Sequence, residues 1–157
     1  MTITKTLFAL FTITAIVSCF QSKTKESNNT DKLTYLNGYF LRNNVSLNEE
    51  VNPIVITSKN EFDNYFGIAK TMNNTVSEVE FDKNNYAAII TKPSSTKQMV
   101  IITNSKEENG QLTINYKILK EGNQTFVSNE MKIFAMPKTI KSVNFVSERE
   151  SKLIEIN

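Results

Sequence analysis

The stretch PIVITSKNEFDNYFGIAKTMNNTVSEVEFDKNNYAAIITK, residues 53–92, decides the fold of this chain. It opens with the β-branched run at residues 54–56, which favours a strand because branching at Cβ restricts χ1 in a helix. It closes with residues 87–90, an apolar run without alternation. Such a run is typical of a strand that is covered on both faces, so we expect it at the centre of a sheet.

Between these two strands the sequence predicts one short helix, from about Lys59 to Phe66. Ser58 and Glu61 form a capping-box pattern, in which each side chain accepts a hydrogen bond from an otherwise unpaired backbone N–H. Gly67 follows and predicts a left-handed helix end. A helix of about two turns does not persist alone in water, so its aromatic face must pack on a sheet.

The remaining segments of residues 33–157 read as extended runs separated by turns. Residues 112–118 alternate between apolar and polar side chains, which predicts a strand with one buried face. Asn109-Gly110 predicts a turn, and residues 121–123 predict another. Asn37-Gly38 predicts either a two-residue hairpin or a bulge within one longer strand.

The expected fold class is therefore mainly β (α+β). We expect an antiparallel sheet or sandwich-like domain with the single short helix packed on it. Residues 33–157 suffice for one hydrophobic core and are predicted to form a single β-rich domain.

The first residues, 1–18, are predicted to be a secretory signal peptide. Residues 1–18 carry one basic residue, Lys5, followed by an apolar run that is shorter than the roughly 20 residues needed to span a membrane. Cys19 follows directly and is the only cysteine in the chain. Because a lone cysteine has no disulfide partner in an exported protein, it calls for another use.

The sequence Ile16-Val17-Ser18-Cys19 resembles the lipobox of bacterial lipoproteins. The resemblance implies that Cys19 becomes the mature N-terminus, carrying a diacylglyceryl thioether and an N-acyl chain such as palmitate. The alternative is an ordinary cleaved signal peptide with a chance cysteine. With two or more acyl chains the protein would be stably anchored to a membrane of the bacterial cell envelope, with the outer membrane or cell surface favoured.

Residues 19–32 are predicted to be a tether between lipid and domain. From residue 21 onward the sequence is QSKTKESNNTDK, which has no aliphatic residue. Such a segment cannot bury enough surface to offset the entropy of ordering, so we expect it to be flexible. An ordered polar loop is the alternative.

The chemical inventory argues against catalysis. The chain has no histidine, and its one cysteine lies in the lipobox, so His- and Cys-based metal sites and catalytic triads are excluded. We predict no enzyme activity, no catalytic residue, no metal and no cofactor. A hydrolase remains as an alternative, using either Ser94 with Lys97 in an S-x-x-K pattern, or Glu78, Glu80 and Asp82 along one strand face.

Binding is the expected class of function, with a purely structural envelope lipoprotein as a further alternative. The formal net charge is +2 and no basic stripe with interleaved aromatics occurs, so nucleic acid is not an expected partner. The polar segment after the central strand is predicted to be a loop, and it is the candidate contact for a protein partner. It consists of Lys92, Pro93, Ser94, Ser95, Thr96 and Lys97.

Several motifs also point to a family. They are VITSKNEF at residues 55–62, VEFD at 79–82, QLTINY at 111–116 and IFAMPK at 133–138. With them the chain resembles, over most of residues 38–146, the C-terminal domain of the bacterial protease-complex subunit PrcB. The resemblance implies a β-rich domain with one short helix that serves as an accessory or binding subunit, with a protease as the expected partner. Direct inhibition, by insertion of residues 92–97 into a protease cleft, is an alternative.

The lipid anchor is tested by Cys19→Ser. Mass spectrometry of the mature N-terminus should find acyl chains on Cys19 in the wild type and none in the variant, because the serine hydroxyl does not replace the thiol in the thioether. The variant should also leave the membrane fraction. An unmodified Cys19 in the wild-type protein would exclude the anchor.

Overall fold

Strands dominate the computed structural model, which describes residues 33–69 and 75–157. The predicted signal peptide, Cys19 and the tether lie outside the described residues. Among the residues described, no helix is long and apolar enough to cross a bilayer. The elements are β1 (Thr34–Leu36), β2 (Tyr39–Leu41), β3 (Val51–Ile56), α1 (Lys59–Tyr65), β4 (Phe66–Ile68), β5 (Asn84–Thr91), β6 (Ser94–Glu108), β7 (Gln111–Ser128), β8 (Met131–Pro137), β9 (Ser142–Val146) and β10 (Ser151–Glu155).

The strands form two four-stranded sheets and one small sheet. The first large sheet has the order β1-β8-β5-β3, the second has the order β10-β9-β7-β6, and β2 pairs with β4. Neighbours are antiparallel except β7 and β9, which run parallel. The predicted fold class, a mainly β and sandwich-like domain with one short helix, is confirmed.

One long ribbon contributes to both large sheets. β5 continues into β6 across Lys92 and Pro93, and β7 continues into β8 across Asn129 and Glu130. At this crossing the Thr91 N–H donates to the Glu130 carbonyl at 2.8 Å, and the Glu130 N–H donates to Thr91 Oγ1 at 2.9 Å. The two strands therefore stay paired while they pass from one sheet to the other.

The far end of the ribbon is a tight turn at Asn109 and Gly110. Both residues have positive φ, 53° and 79°, as a two-residue hairpin between twisted strands requires. The turn predicted at this position is confirmed.

The central strand β5 separates two cores. Ala87 and Ile89 belong to the inter-sheet core, between the two large sheets, whereas Tyr86, Ala88 and Ile90 belong to the helix-side core. All five side chains are at most 1% exposed. The prediction that this run is covered on both faces is confirmed, and the alternation of a strand explains how one run serves two cores.

The helix begins as predicted. Ser58 Oγ accepts from the Glu61 N–H at 3.2 Å, and Glu61 Oε2 accepts from the Thr57 N–H at 3.1 Å. The carboxylate thus caps the residue before the N-cap. The Ser58 bond satisfies a backbone donor that the first helical turn leaves unpaired, and the Glu61 bond pairs the N–H of the residue that precedes the N-cap.

The prediction that a left-handed glycine ends the helix was wrong. The helix ends at Tyr65, and the capping residue Phe66 is already extended, with φ −120° and ψ 145°. Gly67 lies in β4 opposite Phe40, outside the left-handed region. A Cβ at Gly67 would come within 2.5 Å of the end of the Phe40 ring, so a larger residue there requires this exposed ring to move.

The Asn37-Gly38 prediction was also wrong, since neither a hairpin nor a bulge forms there. β1 pairs with β8 and β2 pairs with β4, so the dipeptide is a corner between two sheets. Gly38 has φ +85° and lies against Val76, whose Cα would be 2.8 Å from an added Cβ. The local turn chemistry was read correctly, but the partners of the flanking strands are distant in sequence.

Phe62→Ala tests the helix-side core. The Phe62 side chain is 2% exposed, and four aromatic rings lie 5.0 to 6.1 Å from it, centroid to centroid. Truncation should lower the free energy of unfolding by about 3–5 kcal/mol, measured by denaturant titration. Leu153→Ala is the control, because this residue is 54% exposed. Equal unfolding midpoints in the two variants would contradict the packing.

Candidate partner-binding surface

The segment predicted to be a partner loop is mostly strand. Only Lys92 and Pro93 lie outside secondary structure, whereas residues 94–97 begin β6. The prediction of a loop was wrong because Ser94, Thr96 and Lys97 pair with β7 at the bend of the ribbon. Their side chains are half-buried or exposed, so the polar composition reflects contact with solvent and not a lack of pairing.

Opposite this segment, β7 contains an extra residue. Lys97 pairs with Glu121, but the preceding Thr96 pairs with Asn123, which leaves Gly122 without a partner in the ladder. Gly122 has φ +40°, the conformation that a glycine bulge requires. The turn predicted at residues 121–123 is therefore a bulge inside a continuous strand.

The irregularity continues beyond this glycine. The next pair in the ladder is Ser94 with Ser128, so residues 124–127 have no Cα partner on β6. We call residues 122–127 the β7 bulge. It carries Phe126 and Val127, whose side chains are 62% and 66% exposed, the highest values among the large hydrophobic residues described.

Hydrogen bonds fasten both ends of the β7 bulge. Gln124 Nε2 donates to Ser128 Oγ at 2.7 Å, and Thr96 Oγ1 donates to Asn123 Oδ1 at 3.4 Å. The Thr96 N–H donates to Ser94 Oγ at 3.0 Å. The polar residues of the predicted loop thus support the segment that presents the two hydrophobic side chains.

The β7 bulge lies away from the start of the described chain. β1 enters beside the later part of β8, where Thr34 pairs with Ala135. The bulge precedes the other end of β8, which begins at Met131. This strand has 7 residues, a length of roughly 20 Å. The chain therefore enters the domain near one end of β8 and presents the bulge beyond the opposite end.

A second surface feature is a hollow of about 490 Å³ beside the helix. Arg42 Nε donates to the carbonyls of Asp63 and Phe66 at 2.7 and 3.1 Å, which caps the end of the helix. Burial raises the pKa of Tyr39, with smaller contributions from Tyr86 and Asp63. The hollow combines aromatic walls with cationic groups, but its charged side chains have structural partners. Its lining is Tyr39, Arg42, Lys59, Phe62, Asp63, Phe66, Gly67, Ile68 and Val79.

The Ser/Lys hydrolase alternative requires Ser94 and Lys97 to act together, but each of them contacts a different residue. Ser94 Oγ accepts from the Thr96 N–H, and Lys97 Nζ forms an ion pair with Glu121 at 2.9 Å. A bulge separates the two residues in the ladder. The arrangement therefore stabilises the ribbon instead of joining a nucleophile to a base.

The predicted strand with three carboxylates was wrong. Residues 75–80 have no strand, residues 81–83 form a turn, and β5 begins only at Asn84. The Glu80 carbonyl accepts from the N–H groups of Lys83 and Asn84, at 3.2 and 2.9 Å, and its carboxylate pairs with Lys83. Within residues 33–69 and 75–157, no three acidic, His or Cys side chains are grouped as a metal site would need.

Comparison with protein-family models, curated proteins and solved structures finds no match to this chain. The resemblance to the PrcB C-terminal domain stays a prediction from its motifs. The surface itself is therefore the guide to function. The β7 bulge was missed in the sequence, where residues 126–136 read as one extended segment. The polar run EGNQT just before Phe126 and Val127 is the signal that separates these two residues from the core.

Gly122→Ala tests the bulge geometry. A Cβ at this position would have no atom within 4 Å, so the cost comes from backbone conformation alone and should be about 1–2 kcal/mol. Gly122→Asn should cost less, because asparagine tolerates the left-handed region. Denaturant unfolding of both variants measures the difference. An alanine variant as stable as the wild type would contradict the positive φ.

Proposed function

We propose that this protein is a lipid-anchored module of a bacterial cell envelope that binds a partner protein and catalyses no reaction. The anchor is the acylated Cys19, and residues 19–32 connect it to the folded domain. The β7 bulge is the contact surface. The proposal rests on the lipobox pattern in the sequence and on the two exposed hydrophobic side chains of the bulge.

The exposure of Phe126 and Val127 carries the argument for binding. Both side chains are more than half exposed, although burial would stabilise them by about 25 cal/mol per Å² of apolar surface. Aromatic side chains are enriched at protein interfaces, and a few of them supply most of the binding energy. The hydrogen bonds at both ends of the bulge reduce the entropy that would be lost when a partner orders this segment.

The position of the bulge favours a protein over the anchoring membrane as the binding partner. The chain enters the domain beside Ala135, and the bulge lies past the other end of β8. Phe126 and Val127 therefore lie toward the end of β8 opposite to the point where the chain enters, and the predicted flexible tether lets the domain turn them toward a protein partner. A protein of the envelope can reach them without competing with the anchor.

The partner class that we propose is an envelope protease, which is what the resemblance to PrcB implies. Direct inhibition by residues 92–97 has less support, because residues 94–97 pair with β7 and would have to leave the ribbon to enter a cleft. A hydrolase has less support as well, since Ser94 and Lys97 are engaged with Thr96 and Glu121.

Phe126→Ser with Val127→Ser tests the contact surface. The tagged full chain is purified from detergent-solubilised membranes of its native cells, and co-eluting proteins are quantified by mass spectrometry. The double variant should lose a stoichiometric partner that the wild type retains, by about tenfold or more. Leu153→Ser, at a residue that is 54% exposed on β10, is the matched control and should retain it.

Two further measurements test the partner class and the contact surface separately. Recovered protease activity in the wild-type eluate would identify the partner class. Equal recovery of the partner by the double variant and the control would exclude the bulge as the contact. Far-UV circular dichroism of each variant verifies that the domain is folded.

A further inference from the structure

The longest sheet edge in the described chain belongs to β6. Of the four edge strands in the large sheets, β1 has 3 residues, β10 has 5, and β3 has 6, one of which is Pro53 with no N–H to donate. β6 has 15 residues and pairs with β7 on one side only. Edge strands expose unpaired N–H and C=O groups, and long ones are usually covered or blocked.

The middle of β6 is suited to further pairing. Register shifts occur near Thr96 and Thr103, and between them residues 97–102 pair regularly with β7. The sequence of this stretch is KQMVII, which is mostly apolar and includes β-branched residues. Such a stretch favours the addition of another strand.

The irregularity at Thr103 determines which side chains share a face. Val100 and Ser105 are both buried, at 3% and 4% exposure, and the register shift lies between them. Counting outward from each, Lys97 and Glu108 fall on the outer face of the sheet. Without the extra residue at Thr103, these two charges would lie on opposite faces.

We propose that β6 pairs antiparallel with β6 of a second copy of this chain, with the two-fold axis at Ile102. Thr103 is the extra residue and is therefore not counted in this pairing. Lys97 of one copy then lies across from Glu108 of the other, and the two-fold symmetry repeats the contact. Lys97 already contacts Glu121 of its own β7 at 2.9 Å. The outer face would then carry a row of alternating charges, Glu121, Lys97 and the second copy's Glu108.

The other cross-strand pairs in this register are also compatible. Met99 lies across from Lys106, whose aliphatic stem can cover it, and Gln98 lies across from Glu107. No two like charges face each other, which is required because like charges directly opposite destabilise a sheet. The strand is therefore complementary to itself only in the antiparallel direction, with its basic end against its acidic end.

The dimer would join the two second sheets into one eight-stranded sheet. It goes beyond the proposed function, because partner binding through Phe126 and Val127 does not require it. A monomeric protein that still binds its partner would overturn the dimer alone.

Charge exchange across the interface is the test. The full chain is purified in mild detergent, and its protein mass is measured over a concentration series by light scattering with correction for bound detergent. The wild type should have twice the mass of one chain. Lys97→Glu alone, or Glu108→Lys alone, should weaken association by about tenfold or more, and the double exchange should restore it.

Lys117→Glu is the control, because Lys117 is exposed on β7, away from the edge. It should leave the mass unchanged. A second readout does not depend on charge: Ile102→Cys in a Cys19→Ser background should form a disulfide between copies under mild oxidation. A single-chain mass for the wild type at every concentration, or equal association of the wild type and Lys97→Glu, would overturn the proposal.

Discussion

The pairing of Thr91 with Glu130 is the constraint on which the rest of the structure depends. These two residues join the β5/β8 ladder to the β6/β7 ladder at the point where the ribbon changes sheets. Because the pairing is not interrupted there, the second sheet is carried back over the first, and the inter-sheet core forms between them. Thr91 is fully buried, and its hydroxyl forms hydrogen bonds with both the N–H and the carbonyl of the half-buried Glu130.

The sequence predicted the local features well, and the long-range pairings poorly. Neighbours within a few residues specify three of these local features. They are the run at residues 87–90 that is buried on both faces, the capping box at Ser58 and the turn at Asn109-Gly110. The pairing of residues 94–97 depends on β7, which returns only after a long hairpin. Polar composition alone therefore suggested a loop. Asn37-Gly38 failed for the same reason, since β1 and β2 find different partners far along the chain.

The candidate site shows a similar limit. The sequence predicted residues 92–97 as a contact for a protein partner. The structure places residues 94–97 against the bulge that carries Phe126 and Val127. The two hydrophobic residues were not selected, because an apolar pair in an extended segment has the same pattern whether it faces a core or solvent. Phe126 and Val127 face solvent because Gly122 and residues 124–127 have no partner on β6. That outcome depends on the register between β6 and β7, which the local sequence pattern does not show.

The β7 bulge forms exposed surface but does not hold the fold together. The ladders on either side of it are held by their own pairs, Lys97 with Glu121 and Thr91 with Glu130. Residues 123–127 contribute to neither core. Insertions, deletions or substitutions within this segment would therefore leave both ladders in register. The exposed surface of the domain can therefore change by evolution at this one segment while its stability remains under separate selection.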